Sequence, residues 1–134
     1  VASVSKGFAS TLAALEERDG RLDFTDRVAD VVPVFAMRSL AHSQAVTLED
    51  ILSHRAGLPR YAYDDLLEAG LAPLDILARY AQLRPSCPIG QCYAYQNTAF
   101  DMAAAMIEKA TGESYETRLR RRIFEPLGMT TASI

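Results

Sequence analysis

Apolar residues in this chain recur three and four positions apart, and almost nowhere do they alternate with polar ones. Phe8, Leu12 and Leu15 lie at helical spacing between Ser3 and Arg18, with alanines filling the turns and Gly20 as a C-terminal stop. Phe100, Met102, Ala103, Met106 and Ile107 repeat the pattern between Thr98 and Ala110, closed by Thr111 and Gly112. A strand with one face in a core needs a period of two, so the chain is expected to be mainly α.

Shorter helices are expected between these two. Thr47 opens the run TLEDILSH, where a Thr cap with Asp50 three residues on resembles a capping box ahead of Ile51 and Leu52. Asp64 to Ala69 and Pro73 to Leu83 are also helical in pattern, the second with proline in its first turn, where its missing N–H is no loss. Ser114 is placed to cap a last helix running to about Phe124. HRAGLP (His54 to Pro59) and PSCPIGQC (Pro85 to Cys92) carry the Gly and Pro of loops, and Arg21 to Phe35 shows no clear element. With no internal repeat, low-complexity tract or linker, residues 1–134 are read as a single region.

Composition bounds the function. At 49% hydrophobic and 23% charged residues the chain has the makings of a packed core, and a net charge of −3 provides no basic field for nucleic acid or an anionic membrane. No run reaches the roughly 18 apolar residues of a membrane span. The start has neither an initiator Met nor a signal sequence, so the native beginning is expected to precede Val1.

The chemistry begins with a pair. Lys6 is one of two lysines, and on a helix it would share a face with Ser3, the two Cβ atoms about 5–6 Å apart. A hydroxyl beside an amine is a nucleophile beside a base. YAYQN (Tyr93 to Asn97) adds a phenol and a carboxamide two residues apart, Tyr95 and Asn97, which fall on one side of an extended segment. Tyr93 is read as a packing residue.

In order and separation these features resemble the serine β-lactamase and penicillin-binding protein family, in its class C, DD-peptidase and family VIII esterase branch. SVSK is similar to that family's SxxK and YQN to its YxN. TLEDILSHRAGLP resembles "LLTHTSGLP", PIGQCYAYQN resembles "PPGTRFSYSN", and IFEPLGM resembles "FEPLGM". The resemblance implies the helical domain of a larger α/β fold, with most of the sheet outside this chain.

It also implies covalent acyl transfer. Ser3 would attack a β-lactam, ester or D-Ala peptide carbonyl, Lys6 and Tyr95 would jointly move its proton, and Asn97 would bind the substrate and Lys6. The backbone N–H of Ser3, at the start of a helix, would form half of an oxyanion hole. No metal or organic cofactor is implied; the partner is a small-molecule or peptide carbonyl substrate. The family's third motif, KTG or a variant, has no counterpart: Lys109-Ala110-Thr111-Gly112 has an extra residue, and His54 to Gly57 belongs to another landmark. The isolated chain is therefore expected to be catalytically incomplete, and to expose apolar surface through which it self-associates. A non-catalytic ligand-binding or structural relative is the alternative.

The remaining polar features are read conservatively. His42 and His54 lack an acidic partner at recognisable spacing and are assigned structural or solvent roles. Arg118, Arg120, Arg121 and Arg122 are read as a solvated face late in a helix. Cys87 and Cys92 flank a Pro-Ile-Gly turn, which leaves open a disulfide bracing the Tyr95 loop or two free buried thiols. Export to the periplasm or beyond is expected, with the cytoplasm as the alternative.

Overall fold

The computed structural model describes residues 2–134; Val1, the first residue of the expected single region, lies outside them. Two helices form its centre. α1 (Ser5–Arg18) turns Ala9, Leu12 and Ala13 inward, and α7 (Ala99–Thr111) turns Ala99, Met102, Ala103, Met106 and Ile107 toward it. The alanines let the two backbones approach while Leu12, Met102, Met106 and Ile107 fill the seam, each such burial contributing about 1.5–3 kcal/mol.

The ends of these helices follow from local chemistry. Past α1, Gly20 adopts φ +70° and donates to Glu17 O at 2.9 Å while Arg21 N–H reaches Glu16 O at 3.0 Å, a Schellman closure. Gly112 closes α7 in the same left-handed conformation. α4 (Leu48–Leu52) starts in the expected capping box: the Thr47 hydroxyl accepts from Asp50 N–H, and the Asp50 carboxylate accepts from Thr47 N–H at 3.0 Å. Leu48 and Ile51 anchor this short helix against α7.

Around this centre lie α5 (Asp64–Glu68), α6 (Pro73–Arg79) and α8 (Tyr115–Leu119), the last capped by Ser114. Two elements lack a sequence signal, α2 (Val28–Val31) and α3 (Leu40–Ala45). Four and six residues are too few to display a helical period, and α2 is held from outside: Val28 N–H donates to Val46 O at 3.0 Å across a lone antiparallel bridge joining Arg27 and Thr47. Among the described residues that bridge is the only β-type pairing.

Three expected helices change geometry along their length. The first begins as a 3₁₀ turn (Ala2–Val4), with the Ser5 hydroxyl donating back to Ala2 O, so Ser3 precedes α1. Pro73 to Leu83 divides into α6 and a 3₁₀ turn (Tyr80–Gln82) that buries Tyr80. α8 continues as a π-helical turn (Arg120–Phe124).

The basic run is a correction. Arg118 is 12% exposed and holds the fully buried Glu16 of α1 through two bonds of 2.8 and 2.7 Å, while Arg122 and Arg21 approach the same carboxylate at 3.6 and 3.1 Å. Only Arg120 and Arg121 form the expected solvated face, pairing with Glu116 and Glu113. The cause is helical spacing: positions 118 and 122 share a face, and that face meets α1. Burial would raise the Glu16 carboxyl, but the Arg118 bonds and the nearby Arg122 and Arg21 charges prevail and hold it below its ordinary value.

Candidate active site

Two loops laced together by backbone hydrogen bonds carry most of the site. Ala94 N–H donates to His54 O at 2.9 Å, Tyr61 N–H to Tyr95 O at 3.0 Å, and Ser86 N–H to Gly57 O at 2.9 Å. Gly57 permits this closeness: at φ +71° it faces the Cys87 carbonyl oxygen and the His42 ring, both of which a Cβ would strike. Cys87 and Cys92 are bonded to one another, their Cα atoms 6.3 Å apart, at the base of the loop leading to Tyr95. Beyond Asn97, the buried Thr98 donates to Ala62 O at 3.1 Å and meets the Tyr80 hydroxyl.

These supports deliver Tyr95 and Asn97 to the start of α1. The Tyr95 hydroxyl donates to Ser3 Oγ at 2.6 Å, and Lys6 Nζ donates to Asn97 Oδ1 at 2.7 Å. The four residues singled out in the sequence thus meet, in two pairs. No hydrogen bond joins the Ser3 and Lys6 side chains among the described residues; the phenol, rather than the amine, holds the serine. Lys6 Nζ stands instead over the Tyr95 and Phe100 rings, 5.0 and 5.4 Å from their centroids.

Electrostatics follow from these contacts. The Ser3 hydroxyl and the neighbouring Lys6 ammonium hold the Tyr95 phenol below its ordinary value. Burial and then the Lys6 charge lower His54, whose Nδ1 accepts Gln96 N–H at 3.2 Å and whose ring lies 4.7 Å from that of Tyr95. The His54 ring thus forms one wall against which the Tyr95 ring packs. Tyr93 corrects the reading of it as a packing residue: it is 66% exposed and meets His54 edge-on at the rim of the site.

Sequence reasoning missed two acids. Asp64 Oδ2 accepts from Asn97 Nδ2 at 2.6 Å. Asp101, four residues beyond Asn97 on α7, shares with Lys6, Ser5 and Phe100 the wall of a cavity of about 670 Å³ beside the site, and burial pushes its carboxyl up to about 6 against the opposing Lys6 charge. Helical spacing from Asn97 is a signal for Asp101; nothing in the sequence ties Asp64 to a residue 33 positions away. Among the described residues no three His, Cys, Asp or Glu side chains gather as a metal site, and no helix is long and apolar enough to cross a membrane.

The arrangement is a serine hydroxyl bonded to an acidified phenol, with an ammonium and a carboxamide behind it, which suits nucleophilic attack on a carbonyl. The chain belongs to the beta-lactamase family, whose sequence model matches residues 1–134. It is 34% identical over 131 residues to Penicillin-binding protein 4 of Amycolatopsis lactamdurans, covering 95% of this chain and 33% of that protein. Its fold superposes on a D-stereospecific amidohydrolase from Streptomyces sp. with a TM-score of 0.83 at 27% identity, covering 96% of this chain and 42% of the other. An octameric penicillin-binding protein homologue from Pyrococcus abyssi gives 0.80 at 25% identity, covering 97% and 31%. The chain thus spans about a third of the length of the first of these relatives.

Proposed function

We propose that the intact protein is a serine hydrolase working through a Ser3 acyl-enzyme on a β-lactam, ester or D-Ala peptide carbonyl, and that residues 1–134 are the helical domain of a larger α/β fold. The observation that carries this reading is the 2.6 Å contact between Tyr95 Oη and Ser3 Oγ. With the phenol deprotonated, its oxygen accepts the Ser3 proton as Oγ bonds to the carbonyl carbon; the proton then passes to the departing nitrogen or oxygen. Lys6 stabilises the phenolate charge. In a second cycle Tyr95 takes a proton from water as its oxygen bonds to the acyl carbon; the C–Oγ bond then breaks and Tyr95 returns the proton to Ser3 Oγ, freeing the serine. The backbone N–H of Ser3, in the first turn, provides one oxyanion donor, and Asn97 orients the substrate.

Relatives support the reaction class: a penicillin-binding protein, a D-stereospecific amidohydrolase and a fungal unguisins hydrolase that is 38% identical over 87 residues. The class C and esterase branch is the assignment the SVSK and YQN landmarks favour. Export fits the penicillin-binding relatives and the bonded Cys87–Cys92 pair. Self-association through apolar surface is in keeping with the octameric homologue.

The substrate class is tested by turnover of nitrocefin, p-nitrophenyl esters and D-Ala-D-Ala peptides by the full-length protein beside Ser3→Ala. Turnover of at least one, abolished in Ser3→Ala, is expected. Retention of such ligands with no turnover would point instead to a non-catalytic binding relative.

A further inference from the structure

Lys6 can only donate and an ionised carboxylate can only accept, so the amide held between them has one orientation open to it. Asn97 sits between such a pair: Oδ1 takes the Lys6 bond at 2.7 Å and Nδ2 gives one to Asp64 Oδ2 at 2.6 Å. We propose that Asp64 is the positioning residue of this site, fixing the Asn97 amide so that its oxygen faces Lys6 and its second Nδ2 hydrogen is left for a substrate carbonyl. The consequence for catalysis rests on the Ser3 acyl-enzyme reading; the orientation of Asn97 does not.

Two further observations separate Asp64 from an ordinary helix-start acid. Its other oxygen, Oδ1, is buried without a hydrogen-bond partner, so the side chain is not placed for its own satisfaction. The chain reaching it is strained, with Tyr61 and Tyr63 both in the left-handed region at φ 55° and 59°, where aromatic residues are outliers. That conformation is held in place by the Tyr63 hydroxyl on Arg79 O at 3.0 Å and by the Tyr61 N–H on Tyr95 O. Strain sustained by surrounding contacts, ending at a carboxylate beside the reactive groups, is the pattern of a functional site.

The charge also has a sign. Asp64 raises the Tyr95 phenol, working against Ser3 and Lys6, which lower it. The groups facing Tyr95 are Ser3 and Lys6 from the first turns, His54 and Tyr61 from the loop, and Asp64 from α5; Asp101 of α7 acts on Lys6. Neutralising Asp64 therefore leaves the phenol easier to deprotonate while loosening Asn97.

Asn97 is the sole asparagine of residues 1–134, and in the ¹⁵N-asparagine-labelled full-length protein its side-chain NH₂ pair is the one that disappears in Asn97→Gln. In the wild type one proton of that pair should lie well downfield of the other; in Asp64→Ala the two should return to ordinary positions. Asp64→Ser supplies the same comparison should the alanine variant not fold. A pair unmoved in a folded variant would overturn the proposal. In the full-length protein, fluorophosphonate labelling of Ser3 should slow about 10- to 100-fold in Asp64→Ala, and in Asp64→Asn its pH midpoint should fall. A wild type that does not label would refute the acyl-enzyme reading, with the Asn97 spectrum still deciding the role of Asp64. Unchanged rate and midpoint in labelled variants would refute the positioning role.

Discussion

Tyr95 and Ser3, 92 residues apart in the chain, are joined by a 2.6 Å hydrogen bond between their hydroxyls. Asn97 and Lys6 repeat that long connection two and three residues further along, so the N-terminal turn is pinned to the loop before α7 at two points.

Tyr95→Phe keeps the ring over which Lys6 stands and the contact with His54, but removes the oxygen that meets Ser3. The rate of Ser3 labelling in the full-length protein should fall about 10²- to 10⁴-fold, the usual range for a positioned proton-transfer group, with little change in melting temperature. Labelling at the wild-type rate would transfer the base role to Lys6 alone.

Glu16 is a buried carboxylate whose charge is met by Arg118. Removing the arginine in Arg118→Leu should cost about 1–3 kcal/mol at neutral pH, because Glu16 loses two charged hydrogen bonds while Arg21 and Arg122 still face it, and the Glu16→Leu, Arg118→Leu double variant should lose less than the sum of the two single variants. Urea titration of the wild type, Glu16→Leu, Arg118→Leu and the double variant measures this. Since Glu16 lies below its ordinary 4.5 in the fold, its contribution is present above pH 4.5 and fades as the pH falls through the lowered folded value.

Asp101 has the opposite sign. Burial raises its carboxyl from 3.8 to about 6, so the fold favours the protonated form, and stability fully present below pH 3.8 is lost as the pH rises through 6. After allowance for its partial exposure, Asp101→Asn should stabilise the chain by about 1–2 kcal/mol at pH 8 and hardly at all at pH 3.5. Melting curves at the two pH values check this; equal gains at both would show that the carboxyl is not perturbed.

Gly57→Ala should cost more than the 1–2 kcal/mol or so of a left-handed non-glycine residue, because the new methyl meets the Cys87 backbone carbonyl, which cannot rotate away. Gly70→Ala is the control: φ is +81° but no atom lies within 4 Å, so only the conformational cost applies. Similar melting temperatures for the two variants would refute the packing of HRAGLP on the Cys87 loop.

What could be read from the sequence was whatever repeats or caps locally. The apolar stripes of α1 and α7, the Thr47 capping box and the Ser114 cap each act within a turn or two, and SVSK and YQN were visible because their spacings are short. What escaped depends on distant partners. α2 and α3 are too brief to show a period, and α2 is held by the bridge to Val46 and Thr47. Arg118 looks like any surface arginine until α1 brings Glu16 beneath it. Asp64 gains its meaning only from the strained loop that carries it to Asn97, and Tyr93 was misread because its neighbour Tyr95 takes the inward place.

The central claim is most directly tested by intact mass of the full-length protein after incubation with a penicillin or a fluorophosphonate, beside Ser3→Ala. The account predicts a single adduct located on Ser3 and absent from the variant. An adduct that persists in Ser3→Ala, or none with either reagent in the folded wild type, would contradict it.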